Sequence, residues 1–149
     1  MILVDSVLKD FVPAPHQKED VLEIEWYETS KSVLRRKTLG NREIGLKKNN
    51  RIPLQDGDIL YADEEVRIKV EIKPCDCIVI QPRTITEMGI VCFEIGNMHL
   101  PIFIDEAEQI NVAYEAPLYD FLQRKNYPCF IEHKKLLQTQ MLNIHQIKR

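Results

Sequence analysis

The sequence lacks any long hydrophobic run, and no basic segment followed by an apolar stretch stands near its first residue. A helix that spans a bilayer needs about 20 consecutive apolar residues, and a secretory signal needs a basic and then an apolar segment. Cysteine is also scarce, with four in 149 residues, a density typical of reduced thiols rather than of a disulfide framework. We therefore predict a cytoplasmic protein without a membrane partner.

Positive charge is not in excess, because 20 Lys and Arg stand against 23 Asp and Glu, for a formal net charge of −3. Nucleic-acid binding depends on a cationic surface that neutralises phosphates, so we predict no nucleic-acid partner. The sequence also lacks a Gly-rich phosphate loop, a Gly-x-Ser-x-Gly motif and a His-Glu-x-x-His motif. Because no common motif for bond-breaking chemistry is present, we predict that the protein is not an enzyme.

The first half of the sequence contains apolar residues at every second position. Residues 22–26 and 66–72 alternate between apolar and charged side chains, which places the apolar ones on one face of a strand. Gly40-Asn41 and Asp56-Gly57 tolerate positive φ and suit tight turns. This pattern predicts a meander of short antiparallel strands over residues 1–74.

The pattern changes near Pro74, where apolar residues begin to recur at helical as well as strand spacing. Thr84 or Thr86 can cap the first helix, and Gly96-Asn97 is expected to end it. Pro117 suits the first turn of the second helix. The predicted elements are a strand at 75–80, a helix with Ile85, Met88, Cys92 and Ile95 inward, a hairpin of strands at 101–104 and 110–114, a helix with Leu118, Phe121 and Leu122 inward, and a strand at 129–132.

This β-α-β-β-α-β order is that of the ferredoxin-like fold, in which two helices pack on one face of a four-stranded antiparallel sheet. The predicted fold class is therefore α+β, with an all-β domain at 1–74 and a ferredoxin-like domain at 75–149. The Gln-rich tail from about residue 136 forms either a short helix or a mobile end.

A histidine stands between the end of the first predicted helix and a strand that begins with proline, in Gly96-Asn97-Met98-His99-Leu100-Pro101. Proline restricts the backbone at this junction, so the imidazole can be held outward toward a surface. The competing interpretation is a half-buried core residue, because His99 extends the apolar stripe of the preceding helix.

This hexapeptide resembles the Gly-Asn-Arg-His-x-Pro signature of the urease accessory protein E family, with Met98 in place of the arginine. A second block agrees, since residues 34–38, Glu43-Ile44-Gly45-Leu46 and residues 54–60 resemble the family's basic strand, Glu-x-Gly-Leu strand and Leu-x-Asp-Gly-Asp turn. The blocks occur in the family's order.

The resemblance implies that residues 1–74 form a peptide-binding domain, similar to a substrate domain of the Hsp40 chaperones, and that residues 75–149 form the metal-binding and dimerisation domain. It also implies a nickel chaperone that carries Ni(II) as cargo to the urease apoprotein and the urease accessory GTPase complex. In the family, signature histidines from two subunits meet at one ion. His99 is therefore the expected ligand in a homodimer, which could pair further into a tetramer, and Zn(II) or Cu(II) could occupy the same site.

The other histidines are not equally suited to bind a metal ion. His145 lies in the tail, where several relatives bring a second imidazole to the ion, so the resemblance implies an auxiliary ligand; a solvated histidine in a frayed end is the alternative. His133 is followed by two lysines whose charge opposes metal binding, and His16 stands in a predicted loop. The metal ligands that we predict are His99 and His145.

Two other functions stay open on the sequence alone. The first is a peptide-binding chaperone in which metal binding is incidental. The second is a structural zinc protein that uses Cys75 and Cys77, whose spacing of two residues places both thiols on one face of a strand. A closed zinc site needs four ligands, and the sequence offers no obvious second pair.

Overall fold

A computed structural model describes residues 1–142 of the chain. The chain divides into two compact units, the first Met1–Lys73 and the second beginning at Pro74. The two α-helices of the described residues lie in the second unit, and β-strands occur in both units, so the protein is α+β, as predicted. No helix within residues 1–142 has the length and apolar character needed to cross a membrane.

Two three-stranded sheets make up the first unit, with strand orders β1-β4-β3 and β2-β6-β5. The alternation of side chains produces one buried face, as it does along β6, where all four apolar residues are buried. A separate cluster of buried aliphatic residues fills this unit. The strands are β1 Ile2–Val4, β2 Lys18–Ile24, β3 Val33–Lys37, β4 Glu43–Lys47, β5 Ile59–Ala62 and β6 Val66–Ile72.

The predicted antiparallel meander is wrong in part, because β1 runs parallel to β4 and β2 runs parallel to β6. The hairpins β3–β4 and β5–β6 are antiparallel. Alternation determines which face a side chain occupies but not the direction of the neighbouring strand. The turns match the prediction, with positive φ at Asn41 and Gly57. Trp26, however, belongs to a 3₁₀ turn at Trp26–Glu28 that follows β2.

A buried carboxylate joins the two sheets of the first unit. Asp20 on β2 accepts hydrogen bonds from the Thr38 hydroxyl at 2.5 Å, the Gly40 amide at 2.8 Å and the Arg42 guanidinium at 2.9 Å. Burial alone would raise the pKa of Asp20, but these hydrogen bonds together lower it. A Cβ atom at Gly40 would stand 2.8 Å from the carboxylate, so glycine permits the close approach.

A second buried carboxylate fixes the 3₁₀ turn against β3. The Arg36 guanidinium donates to both carboxylate oxygens of Glu28, which is only 4% exposed. This pairing holds the pKa of Glu28 at about 2, against an ordinary value of 4.5, although burial opposes the shift.

The second unit is a four-stranded sheet with strand order β10-β7-β9-β8 and antiparallel neighbours throughout. Both helices contribute buried residues to one core cluster with β7 and β9. The Thr84 hydroxyl caps the first helix by accepting the Glu87 amide at 3.1 Å, as predicted. The elements are β7 Cys75–Ile80, α1 Ile85–Asn97, β8 Phe103–Ile104, β9 Ile110–Ala113, α2 Ala116–Arg124 and β10 Cys129–Lys134.

One residue that we predicted to face inward does not. Ile85 is 92% exposed, because it is the first residue of α1, and the buried residues of this helix are Val91 and Ile95. Phe121 on α2 is partly buried and packs against the core, as predicted.

The described part of the tail stays close to the sheet. Leu136 is 2% exposed, and the Leu142 amide donates to the Ile102 carbonyl at 2.8 Å. Between residues 136 and 142 the tail contains a 3₁₀ turn at Gln138–Gln140, and Ile144, on which the short helix that we considered partly depends, lies outside the described residues. Residues 136–142 are therefore anchored.

Replacing Asp20 by alanine should lower the free energy of unfolding by about 3 kcal/mol, because three donors on the β3–β4 turn lose a charged acceptor. Urea denaturation followed by circular dichroism measures the loss. The matched control is Asp5→Ala, at an exposed position, which should change stability by less than about 0.5 kcal/mol. Equal urea midpoints for Asp20→Ala and the wild type would contradict this account.

Acid should weaken the first unit through Glu28. Its pKa is lower in the folded chain (about 2) than the ordinary 4.5, so its stabilisation is full above pH 4.5 and disappears as the pH falls toward 2. The shift corresponds to about 3 kcal/mol at about 1.4 kcal/mol per unit. Urea titrations at pH 6 and at about pH 2.5 should therefore show a smaller pH-dependent loss for Glu28→Gln than for the wild type. An equal loss in both chains would refute the assignment.

Candidate metal site

Helix α1 ends in a backbone reversal centred on His99. His99 has φ = 58°, in the left-handed region. Its amide donates to the Gly96 carbonyl at 3.0 Å, and the Leu100 amide donates to the Ile95 carbonyl at 3.3 Å. This pair of hydrogen bonds is the Schellman arrangement, with Met98 as the C-cap. The helix thus ends at Asn97, as we predicted from Gly96-Asn97, but His99 is the residue that makes the left-handed turn.

The reversal anchors the backbone of His99 while its side chain points to solvent. Histidine is among the few non-glycine residues enriched in the left-handed region. Leu100, the next residue, is partly buried and packs against the core cluster that contains Ile95, the apolar contact that often accompanies this type of helix end. His99 itself is exposed. The half-buried core position that competed with a ligand role is therefore wrong.

The electrostatic setting of His99 suits a cation. The C-terminal end of an α-helix carries a partial negative charge, which favours positive charge within about one turn. The last turn of α1 contains no basic residue that would offset this effect. A metal ion held by the imidazole would therefore lie in a favourable local field.

One copy of the described chain does not complete a metal site around His99. Within residues 1–142 there is no group of three or more His, Cys, Asp or Glu side chains placed to hold an ion. Nickel favours imidazole nitrogen and four to six ligands in total, so further ligands have to come from elsewhere. His145, the predicted auxiliary ligand, lies outside the described residues.

An exposed apolar surface runs along α1 toward His99. Ile85 is 92% exposed and Phe93 is 71% exposed. Spacings of four, four and three residues place Ile85, Gly89, Phe93 and Gly96 on one side of the helix. The two glycines have open space where a Cβ would be. We call this surface the outer α1 stripe and define it as Ile85, Gly89, Ile90, Phe93 and Gly96.

Sequence reasoning missed this surface because it assigned Ile85 to the core stripe. The sequence does contain a signal for it, since the spacings of four, four and three residues between Ile85, Gly89, Phe93 and Gly96 can be read directly. Contiguous exposed apolar residues mark interaction surfaces on soluble proteins. The outer α1 stripe ends one turn before His99, so a partner that covers the stripe would come close to the imidazole.

The two other described histidines occupy different environments. On β10, His133 has its Nδ1 3.0 Å from the Asp76 carboxylate on β7. His16 is an exposed residue of the first unit. Neither belongs to a three-ligand cluster among residues 1–142.

Cys75 and Cys77 lie on one face of β7, as their spacing of two residues predicted, and their thiols are 3.7 Å apart. Burial raises the pKa of Cys77 to about 12, and the nearby Cys75 adds to the shift. Zinc binds thiolates and needs four ligands in a structural site. Since the described part of the chain supplies no third ligand here, the structure offers no support for a structural zinc site.

Comparison with known proteins identifies the family. The profile of "UreE urease accessory protein, N-terminal domain" matches residues 5–73. A urease accessory protein UreE of Flavobacterium johnsoniae is 39% identical over 144 residues, which cover 95% of this chain and 82% of that protein. The UreE of Acetivibrio thermocellus is 35% identical over 146 residues, or 97% of this chain and 95% of that protein. The UreE of Actinobacillus pleuropneumoniae is 32% identical over 134 residues, or 88% and 70%.

The similarity is not confined to the segment that the profile matches. Alignments of 144 and 146 residues necessarily include most of the second unit, which contains His99. The family is one of accessory chaperones rather than enzymes, which confirms the prediction that no catalytic reaction is involved. The predicted family is thereby confirmed: the chain belongs to the urease accessory protein UreE family.

Proposed function

We propose that this protein is a nickel metallochaperone of urease maturation, which binds Ni(II) as cargo between two copies of the chain. His99 of each copy supplies a ligand, and His145 of the tail serves as an auxiliary ligand. The observation that carries the proposal is the position of His99: an anchored, exposed imidazole one turn beyond an exposed apolar stripe. Family membership supports the role in urease maturation.

Two-fold symmetry supplies what one copy lacks. In an isologous interface the same surface of each copy meets its counterpart, so a residue near the axis lies close to its own symmetry mate. Pairing through the outer α1 stripe would bury Phe93 and Ile85 and bring two imidazoles together. Two histidines leave coordination positions open for water or for a recipient protein. Such a site is suited to the release of its cargo.

Metal binding would also relieve a repulsion that the pairing creates. Two α1 C-termini facing one axis bring two partial negative charges together, and a divalent cation between them neutralises both. Imidazole is a good ligand for zinc and copper as well as for nickel. Zn(II) and Cu(II) therefore compete for the same position, and the metal supplied to the protein decides the occupant.

The two units divide the proposed work. We assign metal binding and dimerisation to residues 75–149, with a ferredoxin-like arrangement that the strand order β10-β7-β9-β8 supports. We assign peptide binding to residues 1–74. The recipients that we propose are the urease apoprotein and the urease accessory GTPase complex, in the cytoplasm. Further pairing of dimers into a tetramer stays a prediction.

Replacing His99 by alanine should weaken nickel binding by at least about tenfold, the equivalent of 1.4 kcal/mol, because each dimer loses two ligands. Isothermal titration calorimetry of the purified full chain with NiCl₂ measures the change. His16→Ala is the matched control, since it removes an exposed histidine from the first unit, and should leave the affinity unchanged. Equal affinities for His99→Ala and the wild type would overturn the assignment.

Nickel affinity should also fall when the buffer is changed from about pH 7.5 to about pH 5.5, because a protonated imidazole cannot bind a metal. The same calorimetric titration at both pH values tests this expectation. A wild-type affinity that is the same at both values would argue against imidazole as the main ligand.

Replacing Phe93 by glutamate should convert the nickel-loaded dimer to a monomer and weaken nickel binding, although His99 is intact. The reason is that two carboxylates would be brought into an apolar interface. Analytical ultracentrifugation with and without nickel reports the mass, and Val12→Glu, at a position 82% exposed in the first unit, is the control. A Phe93→Glu chain that still dimerises would exclude the outer α1 stripe as the interface.

A further inference from the structure

The first unit contains a cavity that nickel binding does not use. It has a volume of about 250 Å³ and lies between the segment after β1 and the loop that follows β4. Val7, Ile52 and Pro53 form its apolar wall, and Lys9, Lys48 and Asp58 are its charged residues. Pockets for drug-sized ligands usually measure about 300–1,000 Å³, so this cavity suits a smaller group, of the size of one amino-acid residue.

A buried lysine lines this cavity. Lys48 is only 7% exposed, and its ammonium group donates a hydrogen bond to the Ile52 carbonyl at 2.5 Å. An ammonium group has three donors, and that carbonyl is the one acceptor that the described chain gives it. Lys48 forms no salt bridge with any carboxylate within residues 1–142. A buried charge without a counter-ion is costly, so the pairing is incomplete.

Asp58, the acidic residue of the lining, has another role. Its carboxylate accepts the Gln55 amide at 2.7 Å and closes the turn before β5. Burial lowers the pKa of Lys48, and the more distant charge of Asp58 offsets this only in part. With Lys9 included, the three charged groups of the lining sum to +1, which favours an anion in the cavity.

We propose that this cavity binds a carboxylate, with Lys48 as its counter-ion and the apolar wall in contact with the aliphatic carbons that bear it. The ligand class is a small aliphatic carboxylate, either a free short-chain acid or the C-terminal residue of a polypeptide. The backbone of Lys48 is held by its amide, which donates to the Ser32 carbonyl at 2.8 Å, so the site is built before a ligand arrives. This activity is separate from nickel delivery and does not depend on His99.

The experiment is calorimetric titration of the metal-free full chain with three probes: butyrate, the peptide acetyl-Ala-Ala-Val with a free C-terminal carboxylate, and the same peptide with a C-terminal amide. We expect saturable binding of at least one acid and at least about tenfold weaker binding of the amide, a difference of 1.4 kcal/mol. An acid peptide that binds at least about tenfold more tightly than butyrate identifies a polypeptide C-terminus as the ligand. Equal affinities of butyrate and the acid peptide identify the small acid as the ligand.

The test variant is Lys48→Met, which keeps an unbranched apolar chain and removes the charge, and the control is Lys47→Met at the exposed neighbouring position. Lys48→Met should lose acid binding, whereas Lys47→Met should retain it. Thermal unfolding and nickel titration of Lys48→Met should match the wild type, which shows that the chain is folded and keeps the nickel site. The proposal is overturned if neither acid binds the wild type, if the acid and amide peptides both bind with the same measurable affinity, or if Lys48→Met binds the acids as the wild type does.

Discussion

Two backbone hydrogen bonds at the end of α1 determine where the candidate ligand lies. They join the amides of His99 and Leu100 to carbonyls of the last helical turn, and the burial of Leu100 ties this reversal to the core. The imidazole therefore takes its position from a rigid helix rather than from a loop. Ligands that are fixed in advance lose little conformational freedom when a partner arrives, so even a site of few ligands can be selective in its geometry.

Some polar and charged side chains of the molecule have all the hydrogen-bond partners they need, whereas others do not. Asp20 and Glu28 are buried with enough donors to satisfy them, and both serve the stability of the first unit. Lys48 and His99 are left with unused bonding capacity within the described chain. In the functions that we propose, stability and binding therefore depend on separate residues. This separation is what a carrier needs, because release of a ligand then leaves the fold intact.

Local sequence patterns predicted where individual strands and helices form. The alternation along β6, the strand Cys75–Ile80 and the Thr84 cap of α1 all follow from spacing and residue type. The parallel pairing of β2 with β6 did not, because it joins segments more than 40 residues apart and no local signal encodes strand direction. His99 became a candidate through the family signature, but its left-handed backbone was not predicted, because Gly96 and Asn97 just before it adopt that conformation more readily. Lys48 was missed because a lysine beside another lysine and two asparagines predicts an exposed turn.

The left-handed backbone of His99 has an evolutionary consequence. A β-branched residue would be strained there, whereas asparagine and aspartate tolerate this conformation nearly as well as histidine does. Both are reached from a histidine codon by one nucleotide change. Folding would thus allow this histidine to be lost by drift, and under the proposed function the requirement for metal would act against such changes. Under the proposed function, a histidine that persists at this place in a lineage would therefore record selection for cargo, since the architecture itself does not demand it.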